Sequence, residues 1–196
     1  MLVESLLIVC AYFLGSVSFA LVFCKLLRLD DPRLHGSKNP GATNVMRLYG
    51  KKIAIATLIG DLLKGMLPIL IGQWLSMSDL VIASIGLFVF LGHLFPVFFN
   101  FKGGKGVATL LGVLLGFTWL WGVAFIVTWL IIQRVFTYSS VASLIASAMT
   151  PLYGFMLGMS DWYMLISAIL VVLLFWRHKQ NIKDLLSGIH RASDSD

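Results

Sequence analysis

The chain has 196 residues, of which 59% are hydrophobic and only 12% are charged. Soluble domains carry about 25% charged residues. This composition, with a mean hydropathy of +0.91, therefore excludes an ordinary soluble protein and predicts a chain embedded in a bilayer. The net charge is +6, but most of the basic residues lie in short connections between apolar segments. Membrane orientation and small anionic substrates explain such a charge better than nucleic acid does.

Six apolar segments follow one another along the chain, at about 5–27, 53–75, 80–101, 106–133, 138–159 and 162–176. Most are near the ~20 residues that a helix needs to cross the hydrocarbon core. We therefore expect an all-α integral membrane fold in a single domain over residues 1–196, without room for a separate soluble domain. Residues 187–196 are expected to form a polar C-terminal tail.

The distribution of lysine and arginine predicts how these segments are oriented. The connections around 76–79 and 157–161 contain neither residue, whereas 28–52 contains six of them and 101–105 contains two. Basic connections stay on the cytoplasmic side, which places the N-terminus outside and the C-terminus in the cytoplasm. Segment 106–133 then starts and finishes on the inner side, so it must cross outward and return. We predict two helices there, about 106–116 and 118–133, the first short and tilted or partly re-entrant, and about seven transmembrane helices in total.

The first cytoplasmic polar segment runs from Arg33 to Arg47 and combines glycines, hydroxyls and amides with a basic residue at each end. Glycines let backbone N–H groups turn toward one point, and arginine or lysine adds positive charge. Such a segment suits a phosphate or another oxyanion. From composition alone, an ordinary interfacial loop that obeys the charge rule is an equal alternative.

Two further segments have similar chemistry. Residues 101–109 read Phe-Lys-Gly-Gly-Lys-Gly-Val-Ala-Thr and precede a predicted helix, whose N-terminus favours anions; the spacing of a Walker A motif is absent. In residues 177–183, His178 and Asn181 lie three positions apart and share one face of a helix. Each segment alone is compatible with a basic turn at the membrane surface, but several on one side of the membrane favour a shared anion site.

Within the apolar segments, Asp61 and Lys64 lie one helical turn apart. Charges inside a membrane are costly and are candidates for function, although a structural ion pair is the favoured interpretation. Ser140 and Ser143 open an apolar segment from its inner end, where serines either face a site or allow close helix packing. His93, near the inner end of its segment, is either structural or lines a site, and the structural interpretation is favoured.

Three motifs in order closely resemble the bacterial PlsY family: Gly36 to Arg47, Phe101 to Thr109, and Arg177-His178-x-x-Asn181-Ile182. The resemblance covers nearly the whole chain. This family consists of membrane-embedded acyl-phosphate:glycerol-3-phosphate acyltransferases, and it implies a seven-helix bundle. The implied reaction transfers an acyl group from acyl phosphate to the 1-hydroxyl of glycerol 3-phosphate, giving lysophosphatidic acid and inorganic phosphate in the first acylation of phospholipid synthesis. The resemblance implies no metal, no coenzyme A and no other cofactor.

The resemblance also implies roles for individual residues. Those that resemble substrate-binding residues are Ser37, Lys38, Asn39, Gly41, Thr43, Asn44, Arg47, Lys102, Gly103, Gly104, Lys105 and Ser143. Those that resemble catalytic residues are His178, Asn181, Ser140 and, again, Lys105. The first loop resembles the part of the family that holds the acyl-phosphate head, whereas Arg47 and Lys105 resemble ligands of glycerol 3-phosphate. Many members have a glutamate soon after a Leu-Leu-x-Gly run, where this chain has Ile189-His190.

The resemblance places the protein in the bacterial cytoplasmic membrane, with its active site facing the cytoplasm. It implies acyl phosphate and glycerol 3-phosphate as the substrates and the lipid bilayer as the surroundings, and it implies no nucleic acid as a partner. It is also compatible with a functional link to a soluble enzyme that produces acyl phosphate. A transporter for anionic solutes would need polar groups on the outer side, and the outer connections carry little besides Asp79 and Asp161. A lipid-binding scaffold would not need three dense polar motifs.

The attacking hydroxyl must lose a proton during the implied reaction. The His-x-x-x-x-Asp spacing of another large acyltransferase group is absent, because Lys183 stands at the corresponding position after His178. We therefore favour proton transfer to a phosphate oxygen of the substrate, with His178 as the alternative base.

Overall fold

The computed structural model describes residues 1–187, which form eleven α-helices and no β-strand. The helices are α1 (Leu2–Gly15), α2 (Phe19–Leu26), α3 (Ala42–Tyr49), α4 (Lys51–Trp74), α5 (Asp79–Leu94), α6 (Val107–Phe117), α7 (Trp119–Phe136), α8 (Ser139–Ala148), α9 (Thr150–Met156), α10 (Asp161–Arg177) and α11 (Lys179–Leu186). A 3₁₀ turn at Val97–Phe99 follows α5. The predicted all-α fold is confirmed. The predicted tail beyond Ser187, with His190, lies outside the described residues.

The helix α5 occupies the centre of the bundle. Its buried side chains, such as Phe90, belong to one hydrophobic core together with Leu114 of α6, Trp121 of α7 and Leu170 of α10. Large apolar side chains elsewhere remain exposed on the outside of the bundle, mainly along α1, α4, α7 and α10. A soluble protein rarely exposes so continuous an apolar surface, so this surface is the one that contacts lipid.

The described residues include three helices that are long and apolar enough to cross a membrane, α4, α5 with the turn that follows it, and α7. The bent pairs α1–α2 and α10–α11 bring the number to five if each pair is one span. The helix α6 has only 11 residues, which is short for a full crossing. The number of seven spans and the orientation of the termini stay predictions.

The segment 106–133 divides into α6 and α7 at Thr118, as the positions of the flanking basic residues predict. Two other segments were expected to be continuous, and those expectations were wrong. Residues 5–27 break at Ser16–Ser18 with a bend of 50°, and residues 138–159 divide into α8 and α9 around Met149. Neither break is marked by the change in hydropathy that defined the segments.

Glycines allow two pairs of helices to approach closely. The α4–α6 contact is formed by Gly65 and Gly112, and the α1–α5 contact by Gly15 and Gly92. A β-carbon at any of these four positions would overlap a backbone carbonyl of the facing helix. Close backbone approach of this kind is how helices pack tightly in lipid, where the hydrophobic effect does not drive helices together.

The buried ion pair between Asp61 and Lys64 joins the break in the first segment to α4. The Lys64 amine lies 2.7 Å from the Asp61 carboxylate and donates a hydrogen bond of 2.6 Å to the carbonyl of Val17. That carbonyl lies in the α1–α2 break and accepts no backbone N–H from the described residues. The predicted pairing of these two charges is confirmed, and the pair also holds the bent segment against α4.

Replacing Lys64 with Met should strongly destabilise the protein, because it leaves a buried carboxylate without its partner, at a cost of about 3–5 kcal/mol. The double variant Asp61→Asn/Lys64→Met leaves no buried charge and should recover part of the loss. Thermal unfolding in detergent measures both, with exposed Lys52→Met as the control. A double variant that unfolds at or below the temperature of the single variant would contradict this account of the pair.

Candidate active site

A cavity of about 430 Å³ lies where the three polar segments meet α4, α6, α7 and α8. Its polar lining consists of Ser37, Asn39, Gly41, Thr43, Asn44, Arg47, Asp61, His93, Lys105, Ser139, Ser140, Ser143, His178 and Asn181. Its apolar lining includes Leu58, Leu62, Val107, Leu111, Phe125, Ile126, Trp129 and Leu130. Two residues of this apolar wall, Leu58 and Leu130, are themselves 42% and 56% exposed on the outside of the bundle. The cavity therefore combines a polar end with an apolar wall that borders the lipid.

The first polar segment is organised by the side chain of Asn44, which is buried in α3. Its oxygen accepts the backbone N–H of Ser37 at 3.0 Å, and its nitrogen donates to the carbonyls of Pro32 and His35 at 2.9 and 3.2 Å. Gly36 has φ of +58°, and a β-carbon there would overlap the Asn44 amide oxygen. The predicted binding residue Asn44 thus shapes the loop that presents its neighbours to the cavity.

Arg33 connects the first polar segment to the second. Its guanidinium lies 2.7 Å from the carboxylate of Asp31 and donates to the carbonyls of Phe99 and Lys102 at 3.3 and 3.4 Å. The hydrogen bonds from Arg33 lower the pKa of the Asp31 carboxyl despite partial burial. This carboxylate therefore stays ionised and holds the guanidinium in place at neutral pH.

In the second segment, Gly103 and Gly104 are buried, and Lys105 turns toward the cavity. The Lys105 amine donates to the side-chain oxygen of Asn181 at 2.5 Å. This contact joins the second polar segment to the third. An ammonium and an amide at one wall of the cavity provide a positive charge and hydrogen-bond donors for an anion.

His178 occupies the 58° bend between α10 and α11. Its Nδ1 lies 2.8 Å from the carbonyl of Leu174. A carbonyl only accepts, so we assign the ring hydrogen to Nδ1, which leaves Nε2 of the neutral ring as an acceptor. His178 and Asn181 were predicted to share one face of a helix. His178 instead precedes α11, but both residues line the cavity.

The serines at the start of α8 differ in their hydrogen bonding. The Ser140 hydroxyl is buried, lines the cavity and has no hydrogen-bond partner within the described residues. The Ser143 hydroxyl donates to the carbonyl of Ser139 at 2.7 Å and accepts the indole N–H of Trp129 at 3.1 Å. The Ser140 hydroxyl can therefore bind a ligand directly, whereas the Ser143 hydroxyl must give up its bond to the Ser139 carbonyl before it can donate to a ligand.

The structure brings most of the predicted site residues to the cavity lining, but four lie outside it. Lys38 and Lys102 are exposed beside it, and Gly103 and Gly104 lie behind Lys105. The sequence indicated apolar helices beside the site but not which residues form the wall, because the direction in which a helix faces cannot be identified in a segment that is apolar all round. A structural role for His93 was favoured over a place at the site, but both His93 and Asp61 reach the lining. Among the described residues, no group of three or more histidine, cysteine or acidic side chains is arranged as metal ligands would be.

Comparison with known proteins identifies the family. The family model for glycerol-3-phosphate acyltransferase matches residues 5–188. The chain belongs to the glycerol-3-phosphate acyltransferase family. The glycerol-3-phosphate acyltransferase of Thioalkalivibrio sulfidiphilus is 49% identical over 96% of this chain and 93% of its own length. That of Hydrogenovibrio crunogenus is 50% identical over 91% and 86%.

Solved structures of PlsY, an integral membrane glycerol 3-phosphate acyltransferase, have the same fold. The glycerol 3-phosphate form has a TM-score of 0.92 and 38% identity over 96% of this chain and 94% of that one. The lysophosphatidic acid form has a TM-score of 0.90 and 37% identity with the same coverage. The resemblance to the PlsY family is confirmed, and the protein is a membrane-embedded glycerol-3-phosphate acyltransferase.

Replacing Asn44 with Asp should impair acyltransferase activity in this PlsY-family protein as severely as Asn44→Ala does. A carboxylate still accepts the Ser37 N–H but cannot donate to the Pro32 and His35 carbonyls, and each buried group left unpaired costs about 1–3 kcal/mol. We expect kcat/KM to fall by about tenfold or more in both variants, measured as product formed from labelled glycerol 3-phosphate. Exposed Asn100→Asp is the charge-matched control. Near-normal activity of Asn44→Asp would show that its two donated bonds are dispensable.

Proposed function

We propose that the protein transfers an acyl group from acyl phosphate to the 1-hydroxyl of glycerol 3-phosphate, releasing lysophosphatidic acid and inorganic phosphate. The observation that carries the proposal is a shared cavity in which Arg47 and Lys105 lie beside an apolar wall. Two anionic phosphates require basic side chains and N–H donors, and a fatty chain requires an apolar surface. PlsY is known in a glycerol 3-phosphate form and in a lysophosphatidic acid form, which supports glycerol 3-phosphate as the substrate and lysophosphatidic acid as the product.

The phosphate groups are assigned to different parts of the polar lining. The Ser37–Thr43 loop holds the head of acyl phosphate through hydroxyl, amide and backbone donors, and Arg47 and Lys105 neutralise glycerol 3-phosphate. The unpartnered hydroxyl of Ser140 and the amide of Asn181 complete the polar wall around it. The acyl chain follows Leu62, Phe125 and Leu130 toward the lipid. Bringing the two substrates together in one geometry accounts for much of the catalysis, since the mixed anhydride is already activated.

In the reaction itself, the 1-hydroxyl oxygen attacks the acyl carbonyl carbon, and the bond from that carbon to the phosphate oxygen breaks. The electron pair of the broken bond leaves with phosphate, which the basic side chains stabilise. The hydroxyl proton passes to a phosphate oxygen of the donor. The protein therefore supplies orientation and charge rather than a covalent intermediate.

The cytoplasmic side is the proposed location of this chemistry. The three polar segments carry most of the lysine and arginine residues of the chain, and such segments remain on the cytoplasmic side of a bacterial inner membrane. Glycerol 3-phosphate is water-soluble and reaches the site from that side, whereas the acyl group arrives along the lipid. A soluble enzyme that produces acyl phosphate would supply the donor from the same compartment.

The donor is tested with purified protein in detergent, given glycerol 3-phosphate and either long-chain acyl phosphate or the matching acyl-coenzyme A. We expect lysophosphatidic acid and inorganic phosphate in equal amounts from acyl phosphate, no product from acyl-coenzyme A, and loss of activity in Lys105→Met. Mass spectrometry of the lipid and a colorimetric phosphate assay measure the products. Product formed from acyl-coenzyme A but not from acyl phosphate would overturn the proposed donor. Protein that binds the anions without turnover would point to a transporter or a scaffold.

The assignment of the proton acceptor is tested by replacing His178 with Ala. An essential general base contributes about 10²–10⁴-fold to the rate. If a substrate oxygen accepts the proton instead, kcat at saturating substrates should fall by less than about 100-fold in His178→Ala. The KM for glycerol 3-phosphate should rise, because the His178 ring also lines the cavity. His178→Gln, which still donates to a carbonyl, is the matched comparison. Near-total loss of kcat in both variants would make His178 the base.

A further inference from the structure

Arg177, the last residue of α10, has no role in the site as assigned above, but it makes two hydrogen bonds close to it. Its Nη2 donates to the carbonyl of Gly103 at 2.6 Å, and its Nε donates to the carbonyl of Gly104 at 3.1 Å. The side chain does not line the cavity, so it is not placed to bind a substrate. Its two bonds instead connect the end of α10 to the glycine segment that precedes Lys105.

That glycine segment is held from the opposite side by α5. The N–H of Gly104 donates to the carbonyl of His93 at 3.2 Å. A β-carbon on Gly103 would overlap the carbonyls of His93 and Leu94, and one on Gly104 would overlap the His93 ring. The two glycines therefore lie directly on the end of α5, with their carbonyls turned toward Arg177. A guanidinium is suited to this position because its planar fork presents two N–H groups in fixed directions.

The two ends of this connection are each one residue from a site residue. Gly104 precedes Lys105, and Arg177 precedes His178. Beyond them, Lys105 donates to Asn181 at 2.5 Å. The bonds from Arg177 to the glycine carbonyls and the bond from Lys105 to Asn181 thus connect the second and third polar segments at two neighbouring points. We propose that Arg177 is a positioning residue that sets the place of Lys105 relative to His178 and Asn181, and so acts specifically on the binding of glycerol 3-phosphate.

The inference rests on the proposed assignment of Lys105, His178 and Asn181 to glycerol 3-phosphate. The donor phosphate is assigned to the Ser37–Thr43 loop, which Arg177 does not contact within the described residues. A positioning role therefore predicts a selective effect on one substrate. A general role in folding would affect both substrates and the stability of the protein alike.

The test compares Arg177→Lys and Arg177→Met with Lys183→Ala, an exposed residue of α11 whose loss changes the charge at the same end of the bundle. Lysine keeps the charge of Arg177 but cannot present the two-pronged fork. We expect Arg177→Lys to raise the KM for glycerol 3-phosphate by about tenfold, since small displacements of binding groups have effects of up to about 10²-fold. The KM for acyl phosphate should stay within about twofold. Arg177→Met should show a larger effect in the same direction, and Lys183→Ala should match wild type.

Several results would overturn the proposal. One is a normal KM for glycerol 3-phosphate in Arg177→Lys, which would mean that charge alone suffices. Another is an equal rise in both KM values, or a thermal midpoint for Arg177→Lys well below that of Lys183→Ala, either of which would assign Arg177 to folding. If the wild-type protein uses a different acyl donor, the comparison is repeated with that donor, so failure of the donor assignment is distinguished from failure of the role of Arg177.

Discussion

The structure depends on one buried contact, in which Lys64 joins the Asp61 carboxylate to the carbonyl of Val17. A helix broken inside an apolar bundle leaves backbone groups that lipid cannot satisfy. The ion pair provides a bond to one of them and thereby ties the bent first segment to α4. Because Asp61 also lines the cavity, the contact that permits the break lies beside the site. The fold and the site are thus stabilised by the same side chains.

The polar end of the cavity is assembled by cross-links between segments that are far apart in sequence. Arg33 bonds to the carbonyls of Phe99 and Lys102, and Arg177 bonds to those of Gly103 and Gly104. Each arginine uses several donors of one rigid group to fix an irregular stretch of backbone. Irregular backbone that is buried is tolerated where protein groups satisfy its hydrogen bonds. The glycine segment can therefore lie against α5 and carry Lys105 to the cavity.

Much of the architecture could be predicted from local chemistry, but two of the helix breaks were not predicted. The division of 106–133 was predicted because basic residues at both ends had to remain on one side of the membrane. The breaks at Ser16–Ser18 and around Met149 were missed, because neither interrupts the apolar character of its segment. Pro151, in the first turn of α9, is a local signal of the second break that was overlooked. The breaks are stabilised by partners elsewhere in the chain, as Lys64 shows for the first break. Asn44 was likewise predicted as a ligand-binding residue, and its bonds to the loop backbone appear only in three dimensions.

The sequence by itself determined that the protein belongs in a membrane and which three segments carry its polar chemistry. Those properties follow from composition and residue type, which do not depend on how the chain folds. Only the tertiary structure decided that the three segments share one cavity, that its other wall is apolar and borders the lipid, and that Arg177 lies behind Lys105 rather than in the site. Ser37 and Asn181, for example, lie 144 positions apart, and helix packing and long-range hydrogen bonds bring such residues together.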